Sequence, residues 1–203
     1  MQGYKRQSPY FCLGGAKIAL QNSSDKLKSS KLSTKPEHTP EAIKALGQLR
    51  KKSNRKFLDH LKRQQPSNLD VRVQDIHEEV FERTDCLTCG NCCRTTSPIF
   101  YQKDIEHLSR RLRIKPSQFI EKYLRMDEDD DFVLKSSPCP FLLEDNRCDV
   151  YEDRPTACRT YPHTDRKRFH QLLDLTYENT FVCPAVLEIV ELLKVNVGYQ
   201  EKK

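Results

Sequence analysis

The feature of this chain that most constrains its fold is a group of eight cysteines spread over residues 86–183. Four of them fall within eight residues, in the stretch Cys-Leu-Thr-Cys-Gly-Asn-Cys-Cys, and the other four follow singly. Packing gives no reason for four thiols in a short polar turn, whereas thiolates are strong ligands for soft and borderline metals. The sequence therefore predicts metal binding, with these candidate ligands: Cys86, Cys89, Cys92, Cys93, Cys139, Cys148, Cys158 and Cys183.

The composition predicts a modest apolar core. The 203 residues are 36% hydrophobic and 32% charged, whereas typical globular domains have about 45–50% and about 25%. A metal site that is absent from the unfolded chain adds its binding free energy to folding, about 10–16 kcal/mol for structural zinc. We therefore expect metal binding to help hold the fold together.

The positive charge is concentrated in the N-terminal third of the chain. Residues 1–66 contain 15 Lys and Arg against 4 Asp and Glu, and the remaining residues contain 20 against 25. Such an asymmetry can form an electrostatic arm for nucleic acid or an acidic membrane surface. Few aromatic residues interleave with these charges, so the pattern favours a solvated tail and an exposed helix face. Nucleic-acid binding through residues 44–63 is kept as an alternative.

Composition and periodicity divide the chain into four segments. We expect a disordered basic tail at 1–40, a basic helix at 41–66, a cysteine-cluster metal-binding domain at 67–195 and a short C-terminal tail at 196–203. Cys12 belongs to the tail and is treated as a spectator. The apolar stripe of the basic helix is expected to include Leu46 and Leu49, and Pro66 ends that helix.

The predicted fold class is mainly α, with irregular metal-binding loops and a small β-hairpin. A polar turn at 144–147 between two short apolar runs indicates the hairpin, and residues 132–134 are expected to form a short strand. Apolar spacings of three and four residues predict further helices at 68–83, 102–113, from Pro116 onward, 156–160, 166–178 and 184–194.

The sequence indicates a cytoplasmic protein without a membrane span. It has no run of 18 or more apolar residues, and no small-residue cleavage site follows its first apolar stretch. Cysteines outside the secretory pathway serve metal or redox chemistry more often than disulfide scaffolds.

The spacing of the first cysteines favours an iron–sulfur cluster. Cys86, Cys89 and Cys92 form a tripod with two residues in each gap, and a distant cysteine that precedes proline can supply a fourth ligand. Gly90 gives the tripod loop its conformational freedom. Zinc is the alternative, because eight cysteines divide into two sites of four thiolates; iron without sulfide is also kept. The adjacent Cys92 and Cys93 could face different sites.

Four further side chains near Cys158 are candidates for a supporting or catalytic role. Arg154 and Arg159 flank this cysteine and could offset the negative charge of thiolates. Tyr161 and His163 could transfer protons near a redox centre. Walker, dinucleotide-binding, zincin and serine-hydrolase motifs are absent from the sequence.

With these motifs, residues 80–195 resemble the CxxCxxCC cysteine-cluster family of zinc- or iron-chelating proteins. The resemblance rests on Cys86-x-x-Cys89-x-x-Cys92-Cys93, Cys139-Pro140-Phe141-Leu142, Cys148-x-x-Tyr151-x-x-Arg154-Pro155-x-x-Cys158-Arg159-x-Tyr161-Pro162 and Cys183-Pro184-Ala185. It implies a small bacterial-type cytoplasmic protein that binds iron or zinc. Some relatives accompany lysine methylation of flagellin, but this chain shows no S-adenosylmethionine site to which that activity could be carried over.

Two hypotheses of function follow. The first is a metal-binding protein that chelates iron, as an iron–sulfur cluster, or zinc, and serves a protein partner as a carrier, sensor or accessory redox module. The alternative is a cluster-dependent oxidoreductase or protein-modifying enzyme.

Overall fold

The basic segment folds as one long helix, α1 (Pro40–Gln64), in the computed structural model, which describes residues 39–201. Thr39 caps its N-terminus, because its hydroxyl accepts the N–H of Ala42 at 3.2 Å, and Pro40 occupies the first turn, where no N–H is needed. Cys12 and the rest of the expected tail before Thr39 lie outside the described residues.

The buried face of α1 differs in part from the predicted stripe. Leu46 is 44% exposed and Leu49 is 77% exposed. Gly47 faces inward instead, and a Cβ on it would lie 2.9 Å from the carbonyl oxygen of Thr180 and 2.9 Å from the Phe181 ring. The helix therefore approaches its neighbour too closely at this point for a leucine stripe to lie between them.

A first hydrophobic core forms where α1 meets three other helices, α2 (Leu69–Glu82), α8 (Leu173–Asn179) and α9 (Pro184–Asn196). Helices were predicted at each of these places from the apolar spacing, which repeats at the helical period. Cys183 packs against this core. The buried core residues are Phe57, Leu58, Leu61, Leu69, Val73, Ile76, Val80, Phe169, Leu173, Tyr177, Ala185, Ile189, Val190 and Leu193.

A second core lies under α5 (Gln102–Leu112), α6 (Pro116–Tyr123) and a hairpin of β1 (Leu124–Met126) with β2 (Phe132–Leu134). Cys139 and Cys148 pack against it. The strands are antiparallel, with Leu124 opposite Leu134. The buried core residues are Phe100, Ile105, Leu108, Phe119, Leu124, Leu134, Phe141 and Val150.

The regular hairpin is not at the place where the sequence indicated one. The acidic run before β2 makes its turn, because the Asp127 carboxylate accepts the N–H groups of Asp129 and Asp131 at 3.0 Å each. At the predicted turn, residues 144–147, the flanking segments share a single bridge between Leu142 and Cys148.

Three short helices carry most of the cysteines: α3 (Cys86–Cys89), α4 (Asn91–Thr95) and α7 (Thr156–Thr160). Two single-turn 3-10 helices, Tyr151–Asp153 and Phe169–Leu172, complete the described chain. Helix α4 contacts α1 and so links the cysteine segment to the first core. Within residues 39–201, every helix is too short or too polar to cross a bilayer.

The two faces of α1 should differ sharply in their sensitivity to truncation. Leu58 is 2% exposed and Leu49 is 77% exposed on the same helix. We expect Leu58→Ala to lower the free energy of unfolding by about 2–5 kcal/mol, and Leu49→Ala by no more than about 0.5 kcal/mol. Urea unfolding followed by circular dichroism, at equal metal content, measures both. Equal losses would contradict this assignment of the buried face.

Candidate metal centre

The eight candidate cysteines are all free thiols, and their electrostatic coupling divides them into two sets. The first set is Cys86, Cys89, Cys92 and Cys183. The second set is Cys93, Cys139, Cys148 and Cys158. Each set therefore contains one cysteine of the vicinal pair and one cysteine that precedes a proline.

Thiols of the first set are neighbours although Cys183 is remote in sequence. Burial raises the pKa of Cys183 to about 11, and charges on Cys86 and Cys89 add to this rise. Burial and a charge on Cys89 likewise raise the pKa of Cys86. Cys86 is nevertheless exposed at the residue level, whereas the other seven cysteines are of intermediate burial. The first set thus has one ligand candidate at the surface.

The second set gathers around Cys93. Burial raises the pKa of Cys158 to about 12, and charges on Cys93, Cys139 and Cys148 contribute in that order. The pKa of Cys139 rises to about 11 by burial, again with contributions from Cys93 and Cys148. Burial is thus the main cause of both shifts, and the charges of the neighbouring thiols add to it.

The two sets meet at the vicinal pair on α4. The sulfurs of Cys92 and Cys93 are 3.9 Å apart and hydrogen-bonded. This contact lowers the pKa of Cys93 and raises that of Cys92. Cys93 also couples to Cys86 of the first set. The two sets are therefore adjacent.

A tight loop positions the first three cysteines. The carboxylate of Asp85 accepts the N–H of Leu87 at 2.9 Å and caps α3. Gly90 follows with φ +60° and joins α3 to α4. A Cβ on Gly90 would lie 2.7 Å from Nη1 of Arg94 and 3.1 Å from Oδ1 of Asn146, so both its dihedral and its surroundings favour glycine.

Backbone hydrogen bonds hold the second set together. The N–H of Cys139 donates to the carbonyl of Cys93 at 2.8 Å. The chain then reverses direction and Leu142 pairs with Cys148 in an antiparallel bridge, so that Cys139 and Cys148 lie on the two arms of one narrow turn. Main-chain bonds thus fix the positions of three of the four cysteines relative to each other.

Both Cys-Pro sequences direct backbone N–H groups at a sulfur. For Cys183 the donors are the N–H groups of Val186 and Ala185, and their hydrogen bonds oppose the rise in its pKa. For Cys139 the donors are those of Phe141 and Leu142. The two turns are equivalent: the second and third residues after the cysteine donate. One such turn serves each set.

Arginines lie beside the second set. Arg94 and Arg154 both lower the pKa of Cys93, and Arg154 also opposes the rise at Cys158. Arg94 further donates to the carbonyl of Cys89 at 2.6 Å and to Oδ1 of Asn146, which ties the tripod loop to the turn before Cys148. Sequence reasoning had not singled out Arg94, although its place directly after Cys93 was a usable signal.

Asp104 is a second residue that sequence reasoning missed. Its carboxylate is 3% exposed. It accepts the N–H and the hydroxyl of Thr156, at 3.1 and 2.9 Å, and so fixes the start of α7, which carries Cys158. Arg159 lies 3.8 Å from the same carboxylate. Arg159 is thus directed to Asp104, whereas the guanidinium of Arg154 stacks on the Tyr151 ring and donates to the Tyr151 carbonyl at 2.9 Å.

The other two predicted side chains lie close to each other. The rings of Tyr161 and His163 are 6.3 Å apart, and burial lowers the pKa of half-buried His163. Other histidines make their contacts elsewhere in the described chain. His77, for example, lies 2.7 Å from the hydroxyl of Thr164 through Nδ1 and stacks on Phe81.

Two buried polar groups beside the cysteines lack partners among residues 39–201. They are the Asn91 amide, between Gly90 and Cys92, and the Tyr161 hydroxyl. Such groups are rare in native proteins and often mark the place of an ion or a solvent molecule. The donor set and these two groups fit a bound metal. In the described chain, no three Cys, His, Asp or Glu side chains converge on one ion as they stand, so binding requires the thiols to turn inward.

Two glycines with positive φ among residues 39–201 give a matched test of the tripod loop. Gly90 and Gly198 have φ +60° and +65°, but a Cβ on Gly198 would meet nothing within 4 Å. We expect Gly198→Ala to cost about 1 kcal/mol of unfolding free energy through its dihedral alone. Gly90→Ala should cost at least about 1 kcal/mol more and lower metal content, because Arg94 must leave the Cys89 carbonyl. Equal effects in denaturant titration and elemental analysis would contradict this.

A comparison with known proteins finds one family that part of this chain resembles. Residues 85–177 match the model of the CxxCxxCC family, described as a "putative zinc- or iron-chelating domain". The searches of curated proteins and of solved structures gave no match. The matched segment includes every cysteine of the two sets except Cys183, which directly precedes α9 and packs against the first core. Over residues 85–177 this chain is therefore similar to the CxxCxxCC domain.

Proposed function

We propose that this protein holds two metal centres, one in each set of four cysteines. The observation that carries the proposal is the division of the eight thiols into two neighbouring groups that meet at Cys92 and Cys93. Four thiolates complete the coordination of a tetrahedral ion and also supply the corner ligands of a cubane cluster. The number of donors in each set thus matches either kind of centre.

The electrostatics of the sets support a cationic occupant. Burial and the charges of neighbouring thiols oppose ionisation of Cys86 and Cys183 in the first set and of Cys139 and Cys158 in the second. A bound metal or cluster supplies positive charge that keeps the thiolates ionised and, where it contains iron, a site for one electron. The chain contributes backbone N–H donors to Cys139 and Cys183, and arginine charge beside Cys93.

We further propose that the first set holds an iron–sulfur cluster. The tripod of Cys86, Cys89 and Cys92 with a fourth cysteine before proline is typical of cubane ligation. Cys183 supplies this fourth position from the start of α9. The isolated cysteines of the second set are compatible with a mononuclear zinc or iron centre.

The role we propose is that of a carrier, sensor or accessory redox module for a protein partner. The exposure of Cys86 supports it, since a partner can reach the first set at that residue. An oxidoreductase or protein-modifying enzyme is the alternative. It needs Arg159, Tyr161 and His163 around one substrate site, but the guanidinium of Arg159 is directed to Asp104.

Purification without oxygen tests the proposal directly. We expect brown protein that contains iron and acid-labile sulfide, and a second metal equivalent per chain. A colourless protein with two zinc ions would retain the two sites and overturn the cluster. A protein without bound metal would overturn the proposal as a whole.

Single cysteine variants test the division into sets. We expect Cys89→Ser to abolish the visible absorbance and the labile sulfide, because it removes a ligand of the first set, while the other metal stays bound. Cys148→Ser should lose that other metal and keep the sulfide, and the double variant should lose both. Cys12→Ser, outside the described residues, serves as the control and should change neither. Equal loss of sulfide in both single variants would indicate one shared centre.

A further inference from the structure

The hydroxyl of Tyr161 is buried and has no hydrogen-bond partner among residues 39–201. Leaving such a group without an acceptor costs about 1–3 kcal/mol, and buried tyrosine hydroxyls usually find one. Tyr161 directly follows the last residue of α7, and it belongs to neither of the two hydrophobic cores.

Asn179 places Tyr161 next to the first set. Its side-chain N–H donates to the carbonyl of Pro162 at 3.3 Å, and its main-chain carbonyl accepts the N–H of Cys183 at 2.8 Å. Asn179, which is 6% exposed, therefore connects the carbonyl of Pro162, the residue after Tyr161, to the N–H of Cys183.

Four thiols act on this hydroxyl. Burial raises the pKa of Tyr161, and charges on four thiols raise it further. Those four are the first set: Cys183, Cys92, Cys89 and Cys86. Together with the contacts of Asn179, this coupling puts the hydroxyl near the first set.

We propose that the Tyr161 hydroxyl donates a hydrogen bond to a metal-bound sulfur of the first set and lowers the nucleophilicity of that sulfur. The inference rests on the proposed function, because it requires a thiolate or sulfide as acceptor. Hydrogen bonds to ionised acceptors are roughly twice as strong as neutral ones. The bond withdraws electron density from the sulfur, so Tyr161 is a positioning residue and not a ligand.

The second set lacks this arrangement and has another. Arg94 and Arg154 supply cationic charge next to Cys93. Backbone N–H groups act on one sulfur in each set, at Cys139 and at Cys183, so the hydroxyl of Tyr161 is the donor that we assign to the first set alone. This contrast makes the second set an internal reference for any effect of Tyr161.

Alkylation of the metal-loaded full chain tests the inference. Protein purified without oxygen is treated with iodoacetamide, and the rate at each cysteine is followed by mass spectrometry. We expect Tyr161→Phe to raise the rates in the first set about three- to tenfold, in line with the loss of one charge-assisted hydrogen bond. Rates in the second set and total metal should not change. Tyr199→Phe, whose ring packs on Phe57 beyond the other end of α9, is the matched control.

Each other outcome overturns the inference in a recognisable way. Unchanged first-set rates at full metal content would overturn it and leave the proposed function intact. Faster alkylation of both sets, or loss of metal from Tyr161→Phe, would assign Tyr161 to packing. Wild-type protein without metal in the first set would overturn the proposed function, and this inference with it.

Discussion

The arrangement depends on one local constraint, the succession of Cys92 and Cys93 on the single-turn helix α4. Side chains at neighbouring helix positions point about 100° apart, so one thiol joins the first set and the next joins the second. Their sulfurs nevertheless stay 3.9 Å apart. Cys183 extends the first set to the core around α9, and Cys139 extends the second set to the core under the hairpin. A pair of adjacent residues thus belongs to two sets of cysteines that pack against different hydrophobic cores.

Periodicity was sufficient for the long helices and insufficient for short elements. The helices that border both cores follow apolar spacing and were predicted, whereas α3 and α4 are too short to have a period. The helix predicted from Pro116 onward was expected to contain Leu124, which continues the spacing of Phe119 and Ile120, but Leu124 begins β1. The turn at Asp127 depends on bonds from its carboxylate to the backbone, which composition does not reveal. The resemblance to the CxxCxxCC family, which the cysteine motifs carry, is confirmed by the match over residues 85–177.

The identities of the candidate ligands were readable from the sequence, but their division was not. Which sulfurs are neighbours depends on contacts over long sequence separation, such as Cys93 with Cys139. The supporting residues were harder still. Asp104 belongs to α5 and reads as an ordinary residue of an amphipathic helix, yet its carboxylate fixes the start of the helix that carries Cys158. The choice between Arg154 and Arg159 could not be made without the location of that carboxylate.

The order of the cysteines along the chain has a consequence for synthesis. The second set is nested within the first, because its members run from Cys93 to Cys158 and the first set closes only with Cys183. Domains begin to fold from the N-terminus while translation continues. The nascent chain therefore contains every thiol of the inner set, together with the hairpin that supports it, before the last thiol of the outer set is made. In the two-centre proposal, the ligands of the inner set are therefore complete before those of the outer set.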